Sequence, residues 1–165
     1  MSTTDNLKAA FAGESQANRR YLAFAKKADE EGLPQVARLF RAAAAAETVH
    51  ALSHLRVLAE VKSTAENLQV AVNGENYEAT TMYPDFIKEA EAAGDRKAIN
   101  TFSNALAAEK VHEELYREAL ANVAKPEEEQ YDYYVCPVCG STHKRSAPDR
   151  CPVCGTPGSR FEKIS

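Results

Sequence analysis

Two stretches decide the fold, residues 42–50, AAAAAETVH, and residues 105–112, ALAAEKVH. In each, a run of strong helix formers ends in Glu-x-x-His, so that Glu47 and His50, and likewise Glu109 and His112, share one helical face a turn apart. An apolar helix surface is a poor place for a lone carboxylate, which shifts its pKa upward and destabilises the fold unless a partner is near. A glutamate and an imidazole together can hold a metal ion. A single such pair on an alanine-rich helix is more often a solvated glutamate beside an incidental histidine; two related pairs point to a site.

The pairs are related by an internal duplication. At an offset of 62, Tyr21 meets Tyr83, Phe24 meets Phe86, Gly32 meets Gly94, Phe40 meets Phe102, Glu47 meets Glu109 and His50 meets His112, whereas Gly13-Glu14 returns as Gly74-Glu75 at an offset of 61. The one-residue difference predicts an insertion or altered register between Glu75 and Tyr83. Helix punctuation is consistent with two hairpins. Gly32 ahead of Pro34 closes one helix and opens the next, Ser63 with Glu66 forms a capping box, and Gly94 with Asp95 ends the third helix and caps the fourth. The predicted spans are 4–30, 34–61, 64–93 and 95–123, with only two residues between the second and third and with a kink or a tolerated missing backbone bond at Pro84. The expected fold class is all-α, a ferritin-like four-helix bundle followed by a small metal domain built on four cysteines.

Composition sets that boundary. Residues 1–124 are rich in alanine, glutamate, lysine and leucine; the remaining 125–165 hold five of the seven prolines and all four cysteines. Cys136-Pro-Val-Cys139-Gly and Cys151-Pro-Val-Cys154-Gly are two knuckles able to meet as a tetrahedral thiolate site for iron, with zinc possible. Clustered thiols argue for a reducing compartment rather than a disulfide scaffold. The net charge of −4 over 165 residues gives nucleic acid little to hold, and no apolar run reaches the roughly 18 to 20 residues of a membrane span. The N-terminus MSTTDNLKAAF lacks the basic start and apolar core of a secretory signal, so a cytoplasmic protein is expected.

Glu14 and Glu75, one on each hairpin's first helix, complete two lone glutamates and two Glu-x-x-His units, a donor set for two ions. Glu78 lies one turn from Glu75 and breaks the repeat, since its counterpart at an offset of 62 is Gln16. An extra carboxylate at one metal offers two coordination states, one anionic and one through neutral imidazole. Tyr21 and Tyr83 are about two turns from Glu14 and Glu75, within reach of a ligating carboxylate or simply packed in the core. His54 has no counterpart and is read as a surface or supporting residue.

The chain closely resembles the rubrerythrin family over almost its whole length, through AFAGESQANRRY at 10–21, AETVH at 46–50, NGENYE at 73–78, MYPDF at 82–86, AEKVH at 108–112 and the cysteine module. The resemblance implies that Glu14, with alternating use of His50 and Glu78, serves one iron, that Glu47 and Glu109 bridge, and that Glu75 and His112 serve the second iron. It implies that Tyr21 and Tyr83 hydrogen-bond ligating glutamates, and that Cys136, Cys139, Cys151 and Cys154 hold one iron as in rubredoxin. His143 stands where many members have histidine. Ser141 stands where an aromatic residue commonly follows the first CxxCG, which would leave part of the cluster less covered.

Oxygen and imidazole ligands suit iron or manganese. Two ferrous ions clamping both oxygens of hydrogen peroxide can supply the two electrons that reduce it to water, and the thiolate-bound iron would relay replacements from a reductase or rubredoxin. The competing reading is an iron-oxidising or storage protein with a structural zinc ribbon. The resemblance further implies a head-to-tail homodimer in which electrons pass between chains.

Overall fold

The computed structural model describes residues 2–125 and 129–165. Its backbone forms two compact units, Met1–Lys62 and Ser63–Ser165. The observed class is the expected one, helical with a small four-cysteine region at the C-terminus.

The first unit is a hairpin of α1 (Thr3–Glu30) and α2 (Pro34–Val57). The Ser2 hydroxyl accepts from the Asp5 N–H and the Asp5 carboxylate accepts from the Ser2 N–H, a reciprocal cap worth about 1 kcal/mol. Gly32 takes a left-handed φ of 74°, which lets the chain reverse before Pro34 opens α2. The buried side chains are all alanine, at 25, 28, 37, 44 and 51, so the two backbones approach closely. Asn18 Nδ2 ties them further, donating to the Ala44 carbonyl at 2.7 Å and to Thr48 Oγ1 at 2.9 Å. Helix α2 ends four residues before the predicted 61, because Ala59 turns left-handed at φ 54° and Ser63 must be extended to cap the next helix. The connection therefore runs over residues 58–63 rather than two residues.

In the second unit, the predicted third helix is α3 (Thr64–Tyr77), a π-helical segment (Glu78–Met82) and α4 (Tyr83–Ala93); α5 (Arg96–Asn122) follows. The Ser63 and Glu66 box caps α3 as expected. The π segment supplies the one-residue change of register that the two offsets imply, a single wider turn between Glu75 and Tyr83. It also accommodates Pro84 in the first turn of α4, where the missing N–H is tolerated. Gly94, left-handed at φ 69°, ends α4, and Asp95 Oδ1 accepts from the Lys97 and Ala98 amides at 3.0 Å.

The duplication extends to side-chain packing. Tyr21, Phe24 and Phe40 form a ring cluster with centroids 6.3, 6.2 and 5.5 Å apart. Tyr83, Phe86 and Phe102 repeat it at 6.3, 6.2 and 5.6 Å. Each ring pair contributes about 0.5–1.5 kcal/mol beyond area burial.

After α5 the chain forms an antiparallel sheet in the order β2 (Thr142–Lys144), β1 (Tyr133–Val135), β3 (Glu162–Ile164). Alternation along β2 sends neighbours to opposite faces. His143 packs edge-on to Phe161, centroids 5.6 Å apart, while Thr142 and Lys144 turn to α5, where Lys144 Nζ lies 2.6 Å from the Glu118 carboxylate. No helix among the described residues is long and apolar enough to cross a membrane.

Candidate metal centres

The ligand atoms of Glu14, Glu47 and His50 lie within 4.8 Å of one another, and so do those of Glu75, Glu109 and His112. Each triad belongs to one unit and joins a lone glutamate to a Glu-x-x-His pair. His50 Nδ1 is 2.8 Å from Glu47 Oε2, and His112 Nδ1 is 2.7 Å from Glu109 Oε2 and 3.7 Å from Glu75 Oε2. Nδ1 thus faces the carboxylates in both repeats. Such an arrangement asks for positive charge: burial first, then the hydrogen bond and charge of Glu109, push the Glu75 carboxyl up to about 7. Glu78 is raised by burial and then by the negative charge of Glu109. The oxygen and imidazole donors fit divalent iron or a similar ion.

Glu78 stands outside the second triad but within the field of Glu109 and His112, at the first residue of the π segment. Tyr83 feels the same group: burial, then the charges of Glu109, Glu78 and Glu75, raise its phenol above the ordinary value and keep it protonated. Tyr21 is placed in its aromatic cluster. Neither phenol makes a hydrogen bond to a carboxylate among the described residues.

The four sulfurs of Cys136, Cys139, Cys151 and Cys154 converge as free thiols, with Cys136 and Cys154 Sγ at 3.6 Å and Cys139 and Cys151 Sγ at 3.5 Å. The knuckles are built alike. Gly140 and Gly155 donate to the carbonyls of Cys136 and Cys151, and both glycines take positive φ, 79° and 74°, to turn amides inward. The Thr156 hydroxyl, 3.0 Å from Cys154 Sγ, is the main reason that thiol falls to about 6. Four convergent sulfurs, one already favouring thiolate, fit iron or zinc.

The reduced cover expected from Ser141 is confined to one thiol, Cys154, which is only partly buried. Ser141 is fully buried and bonds His143 Nε2 at 3.1 Å, and Cys136, Cys139 and Cys151 are also buried. Phe161 packs against the cysteine cluster, and His143 stands edge-on to that ring. Sequence reasoning missed Thr142, whose Oγ1 lies 2.9 Å from His112 Nε2. Its one advance signal was its position two residues beyond Gly140, and nothing in the sequence named α5 as its neighbour. Beside it a Cβ built on Gly140 would lie 3.9 Å from the Ala108 Cβ, ordinary packing distance.

These features define a helical carboxylate and histidine metalloprotein with a thiolate metal module docked on one of its ligand helices. The rubrerythrin family model matches residues 5–120, and the model of the rubrerythrin rubredoxin-like domain matches residues 134–162. The chain belongs to the rubrerythrin family, with ligand groups of the di-iron type and a rubredoxin-like site. It is 40% identical to nigerythrin of Nitratidesulfovibrio vulgaris, across 97% of this chain and 85% of that protein. To rubrerythrin-2 of Clostridium acetobutylicum it is 34% identical, across 97% and 95%. A solved structure of nigerythrin in its fully reduced, all-ferrous state matches with a TM-score of 0.60 at 39% identity, covering 99% of this chain and 87% of that one.

Proposed function

We propose that the protein reduces hydrogen peroxide to water, with Glu14, Glu47, His50, Glu75, Glu78, Glu109 and His112 holding two irons and the four cysteines holding a third. The bond between His112 and Thr142 carries this reading, because it ties an electron-carrier module to a ligand of the helical site. A storage protein has no use for that link. The division of labour follows residues 1–124 and 125–165.

The irons, when bound, supply the two electrons that cleave the oxygen-oxygen bond, and two protons complete two waters. The chain's own residues set the conditions. Glu47 and Glu109, each paired with a histidine in its own triad, would hold the ions as the shared carboxylates that the family resemblance implies. Glu78 sits where the π turn meets the site, outside the triad, and can approach or withdraw as charge on the ions changes. Tyr83, held protonated, is a donor beside the carboxylates. Electrons come from a reductase or rubredoxin through the cysteine site. Docking of that module on its own α5 favours transfer within a chain over the inter-chain transfer expected from the resemblance. A homodimer and a cytoplasmic, thiol-reducing setting remain part of the proposal.

The test is anaerobic stopped-flow mixing of fully reduced, iron-loaded protein with peroxide. The expected result is oxidation of both iron chromophores with two electrons used per peroxide. Ferrous protein that stays reduced on mixing with peroxide, yet oxidises rapidly in a parallel mix with oxygenated buffer, would replace this function with iron oxidation.

A further inference from the structure

We propose that Thr142 is a positioning residue that fixes His112 as a metal ligand and bonds it to the first cysteine knuckle. The inference rests on the di-iron reading above. The Thr142 hydroxyl donates its single proton to the Gly140 carbonyl at 3.1 Å, so toward the imidazole Oγ1 can only accept. At 2.9 Å it therefore accepts a hydrogen bond from the N–H of His112 Nε2. Nδ1 is left toward Glu109 Oε2 at 2.7 Å and Glu75 Oε2 at 3.7 Å, the corner where a cation fits. A ligating histidine commonly donates its other ring N–H to a fixed acceptor, which sets ring orientation and strengthens the ligand. Here that acceptor is brought by another metal module.

The acceptor is itself held. Thr142 pairs with Val135 in the sheet, and two residues on, Lys144 bonds Glu118 of α5 through both carboxylate oxygens at 2.6 Å. His50, the counterpart in the repeat, has a side chain 55% exposed against 26% for His112, and nothing bonds its Nε2 among the described residues. The duplicated site thus has one anchored imidazole and one without an anchor. The bonded path from Cys139 runs through Gly140 and the Thr142 hydroxyl to the His112 ring. One electron leaving a ferrous ion on the thiolates, which becomes ferric, would reach a ferric ion on His112, which becomes ferrous, with no atom transferred.

The experiment uses the full chain with zinc(II) in the cysteine site, as wild type, Thr142→Val and Thr142→Ser. Valine keeps the β-branched shape on the strand without the hydroxyl. Long-range proton-nitrogen NMR reads which ring nitrogen of His112 is protonated and how fast that proton exchanges with water. Further zinc(II) is then titrated into the helical site. Wild type and Thr142→Ser are expected to show a protected Nε2 proton and zinc on Nδ1. Thr142→Val is expected to exchange that proton about tenfold faster and to bind zinc about tenfold more weakly, the scale for loss of one such bond. Equal exchange and equal zinc affinity in wild type and Thr142→Val overturn the proposal, as does zinc on Nε2. If wild-type His112 shows the protected proton yet no zinc enters either triad, the di-metal reading itself fails and the ligand role falls with it.

Discussion

The amide N–H of Tyr83 reaches back five residues to the carbonyl of Glu78. That one bond closes the π turn and places the repeat-breaking carboxylate at its start. An α-helix advances about 100° per residue, and the wider turn absorbs the extra residue, so Tyr83, Phe86 and Phe102 meet as Tyr21, Phe24 and Phe40 do. Deleting Thr80 should return the segment to plain α-helix, give Tyr83 the spacing from Glu75 that Tyr21 has from Glu14, and leave the ring cluster in register. The expected outcome is retained helical content by circular dichroism, stability within about 1 kcal/mol of wild type in denaturant melts, and metal still bound at the second triad. A loss of several kcal/mol together with loss of metal binding would show that the π turn does more than absorb an inserted residue.

Glu47→Ala and Glu109→Ala should each abolish paired metal binding while leaving a folded helical protein, since each removes the carboxylate that contacts its histidine Nδ1. Metal analysis of purified variants checks this. Two tightly bound ions in the helical site of both variants would remove these glutamates from the ligand set.

Glu78→Gln separates binding from turnover. Glu78 lies outside the close triad, so diferrous loading should survive while peroxide turnover falls by about ten- to a hundredfold, the scale for loss of a supporting group at a metal site. A parallel fall in both quantities would assign Glu78 a permanent ligand role instead of a changing one.

Proton linkage follows from Glu75, raised to about 7 by burial and then by Glu109. Its folded value lies above the unfolded one of about 4.3, so the metal-free protein binds the extra proton more tightly when folded. Stability from this group is full below about 4.3 and is lost as pH rises through about 7. A metal displaces the proton, so affinity should fall below pH about 7 and proton release on binding should be larger at about pH 6 than at about pH 8. Calorimetry in buffers of different ionisation enthalpy measures both. Equal proton release at the two pH values would mean that Glu75 does not exchange its proton for the ion.

Transfer within a chain makes a prediction for mixed assemblies. Combining Glu109→Ala chains with Cys151→Ala chains leaves no chain with both its cysteine site and its own His112 triad intact. Reductant-driven peroxide turnover should stay at the level of the two parents, with the surviving centres loaded and reducible. Turnover clearly above both parents would establish passage between chains.

The sequence exposed the elements whose signals are local. Capping at Ser63 and Asp95, the Gly32 and Gly94 reversals and both Glu-x-x-His pairs depend on residues within one helical turn of each other. The 61-to-62 offset even located the π turn, because an inserted residue leaves a count behind. The end of α2 was missed because alanine at 59 carries no stop signal, yet it takes a left-handed φ of 54° ahead of the extended Ser63 that caps α3. Thr142 was missed for a different reason: the His112 contact spans 30 residues, and one hydroxyl in a strand does not announce its partner. The cover over the cysteines was legible only in part: Ser141 signalled the opening that remains at Cys154, but not Phe161, twenty residues on, whose ring packs against the other three thiols.

The four-sulfur site has a consequence for how cells could be misled. Zinc satisfies four thiolates as readily as iron does, so a wrongly metallated molecule would still close its knuckles, form its sheet and place Thr142 against His112. It would pass every inspection of shape and still be unable to carry an electron. Electron transfer would then depend on which ion was at hand while the chain was being made, and only a measurement of colour or oxidation state, never of folding, would tell the working copies from the silent ones.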